Sequence, residues 1–149
     1  MSNVKQWAER AEKRIEQSQK RKEEQERALA IDRVLLSKQS PVLWAEVREN
    51  LALLCNTFNE RQNILVFSQA SPDLIIVRRT DGRGTSALTA NYDPSLYKIR
   101  FSCGENYRED YQTKVVAEGD GDVVLKSLQS GLAKSVEEAA QTALDSLLK

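Results

Sequence analysis

The side chains able to do chemistry are few, and the missing types decide as much as those present. The 149 residues include no histidine. Ser-His and Cys-His nucleophilic sites are therefore excluded, as is any histidine-ligated metal. Two cysteines, Cys55 and Cys103, stand far apart with no CxxC spacing. They cannot supply a four-thiolate zinc site, and they read as reduced core residues of a cytoplasmic protein.

Carboxylates offer two candidates. "EGDGD" places Glu118, Asp120 and Asp122 at alternate positions, like the opening of a calcium loop. The sixth position is then Val123, where a sharp turn needs glycine, and the twelfth is Gln129, where a bidentate glutamate belongs. A hairpin turn explains the run better. Glu109-Asp110, beside Arg108, reads as solvated charge in a loop. Neither Gly82-Arg83-Gly84 nor Gly119-Asp120-Gly121 extends into a dinucleotide fingerprint or a P-loop. No constellation indicates an enzyme, a metal or a cofactor.

Cations offer a third candidate. Arg78, Arg79, Arg83, Lys98 and Arg100 fall on adjacent predicted strands and one hairpin tip. Arg79, Arg83, Lys98 and Arg100 could hold an anion such as phosphate or an acidic partner strand. The plainer reading is a solvated sheet face whose charges discourage edge pairing. Net charge is zero, from 22 basic and 22 acidic residues, so no general attraction to nucleic acid is expected.

The elements that must carry these residues follow from periodicity. The first proline is Pro41 and the first glycine is Gly82. Residues 3–38, rich in Glu, Lys, Gln, Arg and Ala, are predicted to form one helix. "EQSQKRKEEQER", residues 16–27, contains no apolar side chain. Spacing-four pairs such as Glu9–Lys13, Glu16–Lys20 and Glu23–Arg27 support it by a few tenths of a kcal/mol each. The heptad seam Ala8, Ala11, Ile15, Ser18, Lys22, Gln25, Leu29, Asp32, Leu36 is polar at its centre, which excludes a continuous zipper.

A second helix is predicted from Ser40 as N-cap and Pro41 as first helical residue to about Phe58. Its apolar stripe is Leu43, Val47, Leu51, Leu54 and Phe58, with Trp44 and Cys55 on the flank. From Asn63 the period becomes two. Five or six short strands follow, separated by Asp/Gly/Pro turns, as in an antiparallel meander. In the fourth, Tyr97, Ile99, Phe101 and Cys103 alternate with Lys98, Arg100 and Ser102. The fifth is read from Tyr111. "SVEEAAQTALDSLL" closes the chain as a helix, with Ser135 and Glu138 at capping-box spacing.

The expected fold is α+β. A long projecting N-terminal helix, residues 1–39, precedes an α-β(5–6)-α domain, residues 40–149, whose meander sheet is covered on one face by two helices. The helix of about 50 Å, at 1.5 Å per residue, would exceed its own domain, whose radius of gyration is about 13 Å. Residues 1–39 hold ten Lys/Arg against seven Asp/Glu, and residues 40–149 twelve against fifteen. No apolar leader and no run of eighteen apolar residues is seen, so no membrane span is expected.

The expected function is a non-catalytic assembly or adaptor module. It would bind a second copy, or another protein, through Val4, Trp7, Ala11 and Ile15. A membrane surface fits less well, because Glu9, Glu12 and Glu16 offset Lys5, Arg10, Lys13 and Arg14. The alternative is a small-ligand-binding domain with a pocket between sheet and helices, lined by Cys103, Tyr97 and Trp44.

Overall fold

The computed structural model describes residues 2–83, 87–105, 107–115 and 123–149. The element order is α1 (Ser2–Asn59), β1 (Leu65–Ser71), β2 (Leu74–Arg79), β3 (Ala87–Asp93), β4 (Lys98–Cys103), β5 (Tyr107–Val115), β6 (Val123–Ser127), β7 (Ala133–Lys134) and α2 (Val136–Leu148). The Glu118–Asp120–Asp122 run and Gly84 lie outside the described residues. Packing divides the chain into two units, Met1–Val34 and Leu35–Lys149.

The first unit is helix alone. From Asn3 to Val34 every side chain is exposed except Ala11 and Asp32, which are half-covered. The spacing-four Glu–Lys and Glu–Arg pairs are not closed into ion pairs among the described residues. Both partners keep full hydration in the open, and a gain of tenths of a kcal/mol does not hold two long side chains together.

The second unit is an α+β layer structure. Seven antiparallel strands lie in sequence order β1 to β7. Register places Leu65, Ile75, Val77, Leu88, Ala90, Tyr92, Ile99, Phe101, Cys103, Tyr111, Thr113, Leu125 and Ser127 on one buried face. The second half of α1 covers that face with Trp44, Val47, Leu51 and Cys55, and α2 with Ala139, Ala140, Ala143, Leu144 and Leu147. On α1 the buried stripe is thus turned toward Trp44 and Cys55, while Leu43, Leu54 and Phe58 are only partly buried. The seventh strand, two residues long, is a minimal edge that offers little to a foreign strand.

The predicted break at Ser40-Pro41 does not occur, and α1 runs through Pro41. A proline inside a helix removes one backbone donor and costs about 3 kcal/mol. Tertiary contacts offset that cost here. The Ser40 side chain does not cap a new helix. It is buried, and its Oγ lies 2.7 Å from Thr113 Oγ1 on β5. Thr113 Oγ1 in turn donates to the Tyr97 carbonyl at 2.8 Å, so the Ser40 hydroxyl is the donor in the first bond. Four residues on, Trp44 is buried, donates Nε1–H to the Pro72 carbonyl at 2.8 Å and stacks on Tyr92. Local sequence calls for two helices, and long-range packing makes one.

The strand number also differs from expectation, since the short β7 makes seven where five or six were expected, and two boundaries shift. Tyr97 is a turn residue at φ 54, not the first residue of β4. Its carbonyl is held by the Thr113 N–H and hydroxyl and by Gln112 Nε2, which fixes a backbone conformation that a bulky residue rarely takes. β5 begins at Tyr107, four residues early, because Glu109 occupies an inward position that the alternation rule reserves for apolar residues.

At the ends of the helices, side chains replace missing backbone partners. Ser135 Oγ accepts from the Glu138 N–H at 3.1 Å and caps α2. Asn59 exchanges two hydrogen bonds with the Leu65 backbone, as a neighbouring strand would.

Thr113→Val leaves the buried Ser40 hydroxyl without its acceptor. It should lower the unfolding free energy by about 1–3 kcal/mol in urea titration. A double-mutant cycle with Ser40→Ala should show strong non-additivity; additive losses would mean the pair is not coupled.

Candidate functional site

Val4, Trp7, Ala11 and Ile15 share one side of α1 at spacings of three and four. Val4 is 70%, Trp7 65% and Ile15 60% exposed. The structure therefore brings the sequence-predicted stripe together and leaves it open. At roughly 25 cal/mol per Å² and 150–250 Å² for a tryptophan, covering the exposed part of one such ring would release about 2–4 kcal/mol. Helical spacing sets Arg10 and Arg14 along one edge of the stripe and Lys5, Glu12 and Glu16 along the other. The arrangement can bind an apolar surface with charged margins. It holds nothing that could make or break a bond.

The four predicted anion-binding residues are separated. Arg79 lies at the end of β2 on the covered side of the sheet, opposite Leu65. Its guanidinium grips Asp81 at 2.8 and 3.0 Å and donates to the Leu147 and Lys149 carbonyls at the end of α2. It thus supplies the positive charge that the last turn of α2 lacks in its own sequence. The same hydrogen bond holds the Asp81 carboxyl below its ordinary range. Arg83 follows in the turn, where its N–H donates to Asp81.

Lys98 and Arg100 point to the opposite, uncovered face. Arg100 Nε lies 2.6 Å from Asp110 Oδ1. A shallow depression of about 150 Å³ there is lined by Asn91, Asp93, Leu96, Lys98, Arg100 and Asp110. Within this depression two cations meet two carboxylates, while the rest of the uncovered face also presents Arg78, Arg108, Lys114 and Lys126.

Of the residues proposed for an internal ligand pocket, Trp44 and Cys103 are core and Tyr97 is a half-buried turn residue. Trp44 is saturated by Pro72 and Tyr92, as above. Cys103 and Cys55 are buried and free, and burial pushes the Cys55 thiol up to about 11. Tyr97 sits in its turn. Among the described residues no cluster of three or more metal-capable side chains occurs, and no helix is long and apolar enough to cross a membrane.

A polar cluster inside the sheet layer was not visible in the sequence. Strand β5 sends Glu109 inward and Asp110 outward, so the adjacent carboxylates have different surroundings. Glu109 accepts from Tyr107 Oη at 3.0 Å and pairs with Lys134 Nζ at 3.3 Å. Burial pushes its pKa up. The nearby Ser127 and Tyr107 hydroxyls and the Lys134 charge outweigh that, and the carboxyl titrates below the usual glutamate range. Burial and the charge of Glu109 push the Tyr107 and Tyr111 hydroxyls up. The Tyr111 hydroxyl faces this group without closing a hydrogen bond of ordinary geometry. The cluster joins β5 to β7 through Glu109, Tyr107 and Lys134. The clue in the sequence was the period-two series Tyr107, Glu109, Tyr111, Thr113, hidden by the charges of Arg108 and Asp110.

Two grooves flank the helices of the second unit. One, of about 300 Å³, runs between the end of α1 and α2 over Leu65; the other, of about 390 Å³, lies beside β6 and the start of α2. No family model matches this chain, and no curated protein matches it.

Because the folded-state pKa of Glu109 is depressed, its contribution to stability is present above about 4.5 and is lost as pH falls through the folded value. Glu109→Gln should lower stability at neutral pH by about 1–2 kcal/mol. It should also flatten the decline below pH 4.5 in chemical unfolding curves. An unchanged slope would show that other carboxylates carry the acid sensitivity.

Proposed function

We propose that the chain is a non-catalytic assembly module that associates with a second copy of itself through the first part of α1. The observation that supports this reading is the open stripe. Val4, Trp7 and Ile15 are three large apolar side chains on a helix face that nothing in their own unit shields. Tryptophan at the centre of such a face is the residue type most often dominant in association. An isolated helix whose middle is wholly polar gains little from propensity alone, so covering its apolar end is its largest available stabilisation.

The small charge asymmetry of the chain is compatible with a second copy as the partner, though it does not by itself select one. The positive balance of residues 1–39 and the negative balance of residues 40–149 make the two ends of different copies attract. The sheet unit then serves as the body that assembly brings together, and its two free buried thiols suit the reducing cytoplasm. Zero net charge argues against nucleic acid as the partner.

The test is molar mass by light scattering across a concentration series, for the full chain and for Trp7→Glu and Ile15→Glu. A discrete oligomer for the parent and monomers for both variants is the expected result. Monomers throughout would remove self-association and leave the stripe to a different protein.

A further inference from the structure

The groove between the end of α1 and α2 matches the Trp7–Ile15 part of the stripe in length and polarity, and its two walls carry opposite charges. Its floor is apolar: Leu54 and Phe58 from α1, Leu65 from β1, Leu144 and Leu148 from α2. One wall carries Arg61 and the other Asp145, both exposed and neither in an ion pair among the described residues. Gln141 to Leu148 extends about 10 Å along α2, and Trp7 to Ile15 about 12 Å along α1, at 1.5 Å per residue. The small Ala8 and Ala11 between these anchors allow a close approach of backbones. The second groove does not fit in this way, because Glu46, Asn50, Lys134 and Glu137 make its lining polar.

We infer that the Val4–Ile15 stripe of one copy docks in the α1–α2 groove of a neighbouring copy, as a helix laid in a groove. This rests on the self-association proposed above and names its second surface. Trp7 is the anchor over Phe58 and Leu148. Arg10 and Arg14 lie along the Asp145 wall, and Glu12 and Glu16 along the Arg61 wall. Reversing the docked helix exchanges its edges, so the charge order selects one of two directions. Contacts made reciprocally give a closed pair; contacts made in one sense give a ring or a chain.

The experiment uses full-length variants and sedimentation over a range of concentrations. Trp7→Glu disables the stripe. Gln141→Arg with Asp145→Arg reverses an exposed wall of the groove, and Leu148→Glu independently charges its floor. Thermal melting by circular dichroism verifies that each variant is folded. Each variant alone should be monomeric where the parent is oligomeric. A mixture of Trp7→Glu with either groove variant should regain a two-chain complex, since one stripe and one groove remain intact between them.

If the groove variants associate like the parent while Trp7→Glu does not, the docking inference falls and self-association through the stripe stands, stripe against stripe. If all variants are monomers and mixing restores nothing, stripe and groove are not partners. If Trp7→Glu still associates, or the parent is a monomer, both readings fall.

Discussion

A seven-stranded antiparallel sheet with one apolar face is stable in water only when that face is covered. In this protein a continuous helix and a terminal helix cover it. Register puts every buried strand residue in columns that cross the sheet, Phe67–Val77–Leu88 in one and Tyr92–Ile99–Tyr111–Ser127 in another. Strand length, turn placement and the short seventh strand all serve that face. The opposite face keeps Thr89, Arg100, Ser102, Arg108 and Asp110, which pair with one another and need no cover.

The cover is held by a few polar contacts at its margins. Ser40 meets Thr113, Trp44 meets Pro72, Asn59 meets Leu65, and Arg79 meets the end of α2. Each satisfies a group that burial would otherwise leave unpaired at a cost of about 1–3 kcal/mol. They are spread across the sheet, so they fix where the helices sit and leave bulk stabilisation to the apolar contacts between them. Glu109 belongs to the same class. Its carboxylate lies in the covered layer and is stabilised by Tyr107 and Lys134, which ties β5 to β7.

In the covered layer Glu109 is matched to Tyr107 and Lys134, and Arg79 to Asp81, partners that stabilise their charge. The unshared chemistry of the molecule is apolar, on the first turns of α1 and in the groove beside α2. Both are exposed and both are bordered by charge.

Much of this was legible in the residues. The breaker-free opening, the period-two run from Asn63 and the capped closing helix determined the α+β class and the meander, because helix propensity, alternation and turn chemistry are local properties. The stripe Val4, Trp7, Ala11, Ile15 was legible for the same reason. Tertiary structure alone decided what happens at Pro41, at Tyr97 and at Glu109. Ser40-Pro41 is a sound local start signal, overridden by Thr113, which lies 73 residues away. Tyr97 fits an alternating strand until Thr113 and Gln112 claim its carbonyl. Glu109 looks like loop charge until β6 and β7 bring Ser127 and Lys134 beside it. The same pairing of distant segments separates Arg79 from Lys98 and Arg100, which sequence placed in one patch. Most short-range preferences are worth tenths of a kcal/mol per residue, and even the larger penalty of about 3 kcal/mol for a helical proline is met when several buried contacts, each worth about one or more, act together. Where the two disagreed, the distant partner decided.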